Sequence, residues 1–329
     1  MMKKIIILLP LLFSLACYAQ KAKPARIIFD TDMAPDYDDV GALALLHAFA
    51  DKGEATILAT ISSNAFETTV PTLNVLNTYF NRPGIPVGVV KAALPDKDCS
   101  QHWAQTIITK YPHALQLNNE AMDAVKLYRK ILSVQMDKSV TVVTVGFFTN
   151  LAGLLNSKAD KYSPLNGKAL IEKKVKQLVS MAARIGTDGK TGYEFNIMVD
   201  AAATKKVFAE WPTPIILSGF EIGEKILTGI RLIHNEQIQN SPVKDAFSVA
   251  LAKDSNIVGR NSWDQTAVLV AVRGLLPWFG YRKLNFDVEA DGKNVLISGK
   301  KFTYLTFKQT PGAIAKLIED LMMHQPVKK

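Results

Sequence analysis

The chain has 329 residues, 48% of them hydrophobic and 21% charged, with a formal charge of +9. This balance excludes a disordered or fibrous chain and fits a soluble enzyme with one large core or two modest ones. The basic residues are scattered rather than set among aromatics on one face, so no nucleic-acid partner is expected.

Residues 1–19 have the form of a signal peptide. Lys3 and Lys4 make the charged start, Ile5 to Ala16 the apolar run, and Cys17 and Ala19 the small residues before a cut ahead of Gln20. The run is too short for an ordinary spanning helix. The expectation is a periplasmic or secreted protein cleaved after Ala19, with no stable membrane insertion afterwards. The alternative is an acylated Cys17, although Ser14-Leu-Ala-Cys17 fits that pattern poorly. Cleavage leaves one cysteine, Cys99, and therefore no internal disulfide.

Gln20 to Ala25 is a short polar lead-in to an apolar strand, Arg26–Asp30. A buried helix follows over Asp39–Ala50, then a strand at Thr56–Ile61, a helix at Thr69–Phe80 and a strand at Ile85–Val90. This rhythm predicts an α/β fold with a mainly parallel sheet and helices on both faces. Lys91–Asn119 is irregular and rich in Pro, His, Trp and Tyr, as lids and binding loops are. Beyond it come a helix over Ala121–Met136, a strand at Ser139–Val145, a sharp turn through Gly146–Asn150 and a helix at Leu151–Leu155. Val175–Met181 is a strand, Arg184–Gly192 a Gly-rich loop, Asp200 a helix N-cap and Thr213–Leu217 a strand. Pro242–Lys253 and Asp264–Arg273 read as helices. Arg282–Glu289, Asn294–Ser298 and Tyr304–Phe307 read as short antiparallel strands around the Asp291-Gly292 turn, before a closing helix at Pro311–Met323. With no linker or repeat, residues 20–329 form one domain with a small β annex.

The first strand runs into five carboxylates within ten residues: Asp30, Asp32, Asp36, Asp38 and Asp39. Asp30 and Asp32 are two apart, which in an extended strand puts them on one face. Asp38 and Asp39 fall where a helix begins and its free N–H groups favour negative charge. Five like charges this close need a positive partner, and a hard cation held by oxygens would serve. The loop also sits at the carboxyl end of a strand, where open α/β sheets place their sites. Other strand ends carry polar residues too: Asn64, Val145 to Asn150, Glu194 with Asn196, and Trp263 with Asp264. Singly, Asn64, Asn150 and Asp264 also read as helix caps.

In that order these segments resemble the nucleoside hydrolases, the calcium-dependent inosine/uridine-preferring N-ribohydrolases. The resemblance rests on Asp30-Thr-Asp32 with Asp38-Asp39, on Asn64, on Val145-Gly-Phe-Phe-Thr-Asn150, on Glu194-Phe-Asn196 and on Trp263-Asp264. It implies hydrolysis of the N-glycosidic bond of ribonucleosides, with one Ca2+ held by Asp32, Asp39, Asp264 and the Val145 carbonyl. Asp32 would take a proton from the attacking water, Asp38 would hold the ribose 2′-hydroxyl, and Asn64, Glu194 and Asn196 the rest of the sugar. The family forms homodimers and homotetramers, and nothing in these residues chooses between them.

There are departures from the family pattern. The loop through Met33–Tyr37 is two residues longer than the common one, which leaves Asp36 without an assigned role. Trp263 stands where many members carry a His that protonates the leaving group. An indole cannot give up a proton at working pH, but it can stack on a base, so a purine preference is expected. Trp103 is the candidate for the opposite face of the base, with His102 beside it as an acid. Asp188 lies near the place of an Asn that holds the 5′-hydroxyl. Two alternatives stay open: a haloacid-dehalogenase-like phosphatase with Asp30 as nucleophile and Asp32 as acid/base, and a secreted calcium-dependent nucleoside- or sugar-binding protein without turnover.

Overall fold

The computed structural model describes residues 23–91, 95–185 and 192–327. The leader, Cys17, Gln20 and Asp188 lie outside them. In chain order the first half holds β1 (Ala25–Thr31), α1 (Asp38–Asp51), β2 (Ala55–Ser62), α2 (Thr69–Tyr79), β3 (Val87–Val89), α3 (Trp103–Lys110), β4 (Met122–Asp123), α4 (Ala124–Ser133), β5 (Val140–Thr144) and α5 (Thr149–Asn156). The second half continues with α6 (Gly167–Lys174), β6 (Val175–Met181), α7 (Phe195–Val199), α8 (Ala201–Glu210), β7 (Ile215–Ser218), α9 (Phe220–Gly223), β8 (Leu227–Thr228) and α10 (Ile230–Ile233). It closes with α11 (Pro242–Lys253), β9 (Arg260–Asn261), α12 (Trp263–Arg273), β10 (Phe279–Val288), β11 (Asn294–Phe307) and α13 (Pro311–Met322).

Nine strands form one sheet in the order β10-β11-β7-β6-β5-β1-β2-β3-β4. All neighbours are parallel except β10 and β11. Ile27, Ile28 and Phe29 on β1 are fully buried, because a parallel strand covered on both faces is apolar throughout rather than alternating. One face is covered by α1, α2, α3, α11, α12 and α13, the other by α4, α5, α6 and α8. Helix α1 is apolar around its circumference, which suits a helix buried on all sides; it packs on α12 and α13. The chain leaves β1 towards β2 on one side and returns to β5 on the other, so the switch point of the sheet lies between β1 and β5. That crevice is where ligands bind in such sheets.

The structure refines several expectations. The irregular stretch after β3 contains α3, and Trp103 at its start is wholly buried in the core. Lys110 and Tyr111 tie this segment to Asp245 on α11, so over its described residues it is packed structure. Helix α6, between β5 and β6, carries little apolar patterning and was not foreseen. The two short strands expected within 294–307 are one strand, with residues 298–301 extruded as a bulge where Leu284 pairs with Phe302 and Asn285 with Ile297. This antiparallel hairpin is continuous with the main sheet, since Thr303 and Tyr304 pair with β7. β1 ends at Thr31, so strand alternation does not extend to Asp32, and the side chains of Asp30 and Asp32 part company.

Candidate active site and metal centre

A cavity of about 240 Å3 opens at the carboxyl ends of β1, β5 and β6, lined by acidic and aromatic residues. Asp32, Asp36, Asp38 and Asp39 reach it from the loop after β1 and the first turn of α1, and Asp264 from the first turn of α12. Each helix start offers its unpaired N–H groups to the negative charge. The Asp264 N–H donates to Asp38 Oδ2 at 3.3 Å. One carboxylate oxygen each from Asp38, Asp39 and Asp264 lies within 4.8 Å of the others. Val145 follows β5, its N–H bound to the Asp30 carbonyl at 2.8 Å. The next residue must be glycine, because a Cβ on Gly146 would stand 2.3 Å from the Asp32 nitrogen.

Burial is the main force on these acids. It pushes Asp39 up to about 8, with Asp38 and Asp36 adding to the shift and Thr31 opposing it. Asp32 and Asp264 stand well above the usual carboxylate range, first through burial and then through the neighbouring carboxylates. Asp38 is also raised by burial, but the Arg260 guanidinium opposes the rise. Arg260 was not singled out in the sequence. It donates to Asp38 Oδ1 from Nε at 3.0 Å and Nη2 at 2.8 Å, and Nη2 lies 2.5 Å from an Asp36 oxygen. Burial works to discharge Arg260, yet Asp38 and Asp36 outweigh it and hold the guanidinium firmly charged. Asp39 accepts from the Thr31 hydroxyl through Oδ1, and its Oδ2 is buried with no partner among the described residues.

The other expected site residues divide. Glu194 and Asn196 line the cavity. Glu194 caps α7 by accepting from Asn196 N at 2.9 Å and Ile197 N at 3.2 Å, and burial pushes it up to about 7. The Asn196 amide donates to the Val145 carbonyl at 3.0 Å, which leaves that oxygen a second lone pair. The Asp291-Gly292 turn of the β10–β11 hairpin holds this segment, since Tyr193 donates its hydroxyl to Asp291 at 2.6 Å. Asn64 does not line the cavity. Its Nδ2 donates to the carbonyls of Asp32 and Lys97, and its Oδ1 accepts from Phe66 N and Lys97 N. Asn64 therefore shapes the Asp32 backbone rather than facing a ligand. Asn150 sits inside α5 and ties Asp30 to the Ser62 carbonyl, so it is a cross-brace rather than a cap. Asp200 does cap α8, accepting from Ala203 N.

Trp263 lines the cavity, half-buried, with its Nε1 donating to the Phe220 carbonyl at 2.9 Å. Its ring leans on Phe220 at 5.2 Å, and the Arg260 guanidinium lies 5.0 Å over it. Phe220, Tyr193, Phe195 and Met181 complete the apolar wall; scattered singly along the chain, they carry no motif. Trp103 and His102 are not part of this wall. Trp103 is in the core, and His102 is exposed and paired with Asp98 at 3.1 Å. Asp30, which the phosphatase alternative needs as nucleophile, does not line the cavity. It is fully buried against the Tyr128 hydroxyl at 2.8 Å and the Asn150 amide, and burial raises it to about 7.

The profile described as inosine-uridine preferring nucleoside hydrolase matches residues 27–315, a span holding every residue of the cavity. The chain is 31% identical over 232 residues to a protein of Shewanella sp. named pyrimidine-specific ribonucleoside hydrolase RihA, covering 68% of this chain and 64% of that one. The chain thus spans less than two thirds of that relative's length. A purine-preferring ribonucleoside hydrolase from Gardnerella vaginalis superposes with a TM-score of 0.68 at 15% identity, covering 91% of this chain and 99% of that one. An inosine-uridine preferring nucleoside hydrolase from Bacillus anthracis gives 0.68 at 17% identity over the same shares. The acidic loop at the sheet's switch point, the architecture around it and a family match over nearly all of the described chain agree: this protein belongs to the inosine-uridine preferring nucleoside hydrolase family.

Proposed function

We propose that the protein hydrolyses the N-glycosidic bond of ribonucleosides to free base and ribose, with one calcium ion at the acidic end of the cavity. One observation carries this reading. Arg260 compensates Asp36 and Asp38, while Asp32, Asp39 and Asp264 meet no cationic side chain among the described residues. Three buried carboxylates without a counter-charge are costly. They are the three that the family resemblance assigns to the metal. The donor set fits a hard cation: carboxylates, the free lone pair on Val145 O, and the unpartnered Asp39 Oδ2.

When bound, the ion supplies a positive charge that gathers these oxygens and lowers the pKa of water at the site. The chain's own groups do the rest. Asp32 accepts the proton of the attacking water on a carboxylate oxygen. Asp38 orients the 2′-hydroxyl, and Glu194 and Asn196 hold the remaining sugar hydroxyls. The ring of carboxylates favours the positive charge that grows on the sugar as the bond to the base lengthens. Trp263 and Phe220 present flat apolar surface to the base. With no described His lining the cavity beside Trp263, stacking supports a purine preference, because a purine can take its proton from solvent. The leader at residues 1–19 supports export with Gln20 at the mature N-terminus, which N-terminal sequencing of the native protein tests. Among the described residues no helix is long and apolar enough to cross a membrane.

The test is incubation of the mature protein with a panel of ribonucleosides and calcium, following free base and ribose. Release of base in calcium but not in chelator is the expected result. Tight calcium-dependent binding with no base released would replace it with the binding-protein reading.

A further inference from the structure

The longer acidic loop brings Asp36, a residue without an assigned role, to the rim of the cavity. Its partner is Arg260, from β9, four residues before Asp264. One guanidinium therefore bridges the loop after β1 and the lead-in to α12, the two segments that supply the carboxylates. Its Nη2 reaches both Asp36, at 2.5 Å, and Asp38, at 2.8 Å. Two aromatic rings also lie against it, with the centroids of Tyr37 and Trp263 each 5.0 Å from the guanidinium carbon. Two carboxylates and two rings thus hold this arginine in one place, and a planar fork suits two carboxylates better than an ammonium would.

We propose that Arg260 is a fixed cation of the site. Its single positive charge, shared by Asp36 and Asp38, offsets part of their charge, keeps the two acidic segments together when no metal is present, and leaves Asp32, Asp39 and Asp264 as the carboxylates that an exchangeable ion must answer. Asp36 anchors it, which gives the loop's extra length a purpose. The proposal rests on the reading that those three carboxylates take a divalent cation, and it goes beyond that reading in sign. A positive charge beside a cation site repels the incoming ion. Removing Arg260 therefore makes the metal-free protein less stable and makes calcium bind more tightly. A residue that merely pre-shaped the site would, on removal, weaken calcium binding.

The experiment measures melting temperature in chelator and in calcium, and calcium affinity by calorimetry, for the wild type, Arg260→Gln, Arg260→Lys and Asp36→Asn. Arg260→Gln is expected to melt lower than wild type in chelator, to show a larger calcium-induced rise, and to bind calcium about tenfold more tightly or better. Arg260→Lys keeps the charge and stays near wild type in affinity. Asp36→Asn removes a negative charge and binds calcium more weakly. Unchanged or weaker calcium binding in Arg260→Gln overturns the proposal. If Arg260→Gln folds only with calcium, that supports it; if it folds in neither condition, Asp36→Asn decides, and affinity at or above wild type overturns the proposal. A wild type that ignores calcium would defeat the single-cation reading instead. The chelator arm then decides alone: Arg260→Gln melting no lower than wild type overturns the fixed-cation role.

Discussion

Two regions of this molecule bury charge, and they do so in opposite ways. Arg129 on α4 is 2% exposed, and its surroundings answer it: Asp160, the Ser157 hydroxyl and the carbonyls of Ser163 and Leu165 take its N–H groups. That cluster pins α4 to the loop before α6 and compensates the charge within the chain, with Arg129 Nε, 2.9 Å from Asp160 Oδ2, the one guanidinium nitrogen that makes no hydrogen bond among the described residues. The acids of the cavity are also buried but unfinished: among the described residues Asp32, Asp39 and Asp264 have no cationic partner and Asp39 Oδ2 has no hydrogen-bond partner. Buried charge alone therefore does not mark a functional site. The mark is buried charge that the chain itself leaves uncompensated, since an unmet charge is tolerated only where something else supplies the answer.

The sharpest way to break the comparison is to alter one member of each region. Asp32→Asn is expected to reduce kcat by about a hundredfold to ten-thousandfold, more if calcium binding also weakens. In chelator the same variant should melt at or above wild type, because it removes one of several mutually repelling charges. A kcat near wild type would place the base elsewhere. Arg129→Met should do the reverse. It leaves carbonyls and Asp160 without their partner and is expected to cost about 3–5 kcal/mol of stability, read by denaturant melts, with kcat per folded molecule unchanged.

Calcium itself is the next test. An ion that binds only the folded state stabilises it by about 2.7 kcal/mol at a hundred times its dissociation constant. Chelation should thus lower the melting temperature of the wild type and leave the Arg129 cluster's contribution untouched. Metal analysis without calcium, and a melt indifferent to chelator, would remove the contrast altogether.

On the aromatic wall, Trp263→Ala is expected to cost about 1–3 kcal/mol on purine nucleosides and less on pyrimidines. The comparison uses kcat/KM for inosine, guanosine, uridine and cytidine. Equal losses on all four would mean that Trp263 only supports Phe220 and Arg260.

A further effect, confined to one stretch of the pH profile, is a slope from Glu194. Burial raises it from 4.5 to about 7, so between those values the folded chain holds a proton that the unfolded chain has released. Stability is then full below about pH 4.5 and falls as pH rises towards 7, by up to about 1.4 kcal/mol per pH unit. Glu194→Gln cannot titrate and should flatten that part of the profile. An unchanged slope would show that Glu194 is ionised in the folded protein.

Much of the fold was legible along the chain. The apolar runs of β1 and β5, the all-round apolar α1 and the βαβ spacing are local patterns, and local patterns survive into a parallel sheet. The hairpin near the C-terminus was legible from its Asp291-Gly292 turn, but not its attachment to β7. Helix α6 was missed because its short sequence is mostly polar, and α3 because Pro, His and Trp around it read as loop. That Asp32, Asp38, Asp39 and Asp264 line one cavity was legible because acidic residues at strand ends and helix starts are visible as such. Asn64 and Trp103 point away from the cavity, which the sequence does not show, because a side chain's direction depends on neighbours far away in sequence.

By itself the sequence determined which residue types stand at each strand end, the family to which that order belongs, and the surplus of acid at the first of those ends. Only the tertiary structure decided how that surplus is shared. Arg260 lies 222 residues from Asp38 and in no motif, yet it meets two of the five acids crowded after β1 and at α12. Coulombic compensation depends on distance in space, and chain order does not encode that distance until the sheet brings β1, β5 and α12 to one edge.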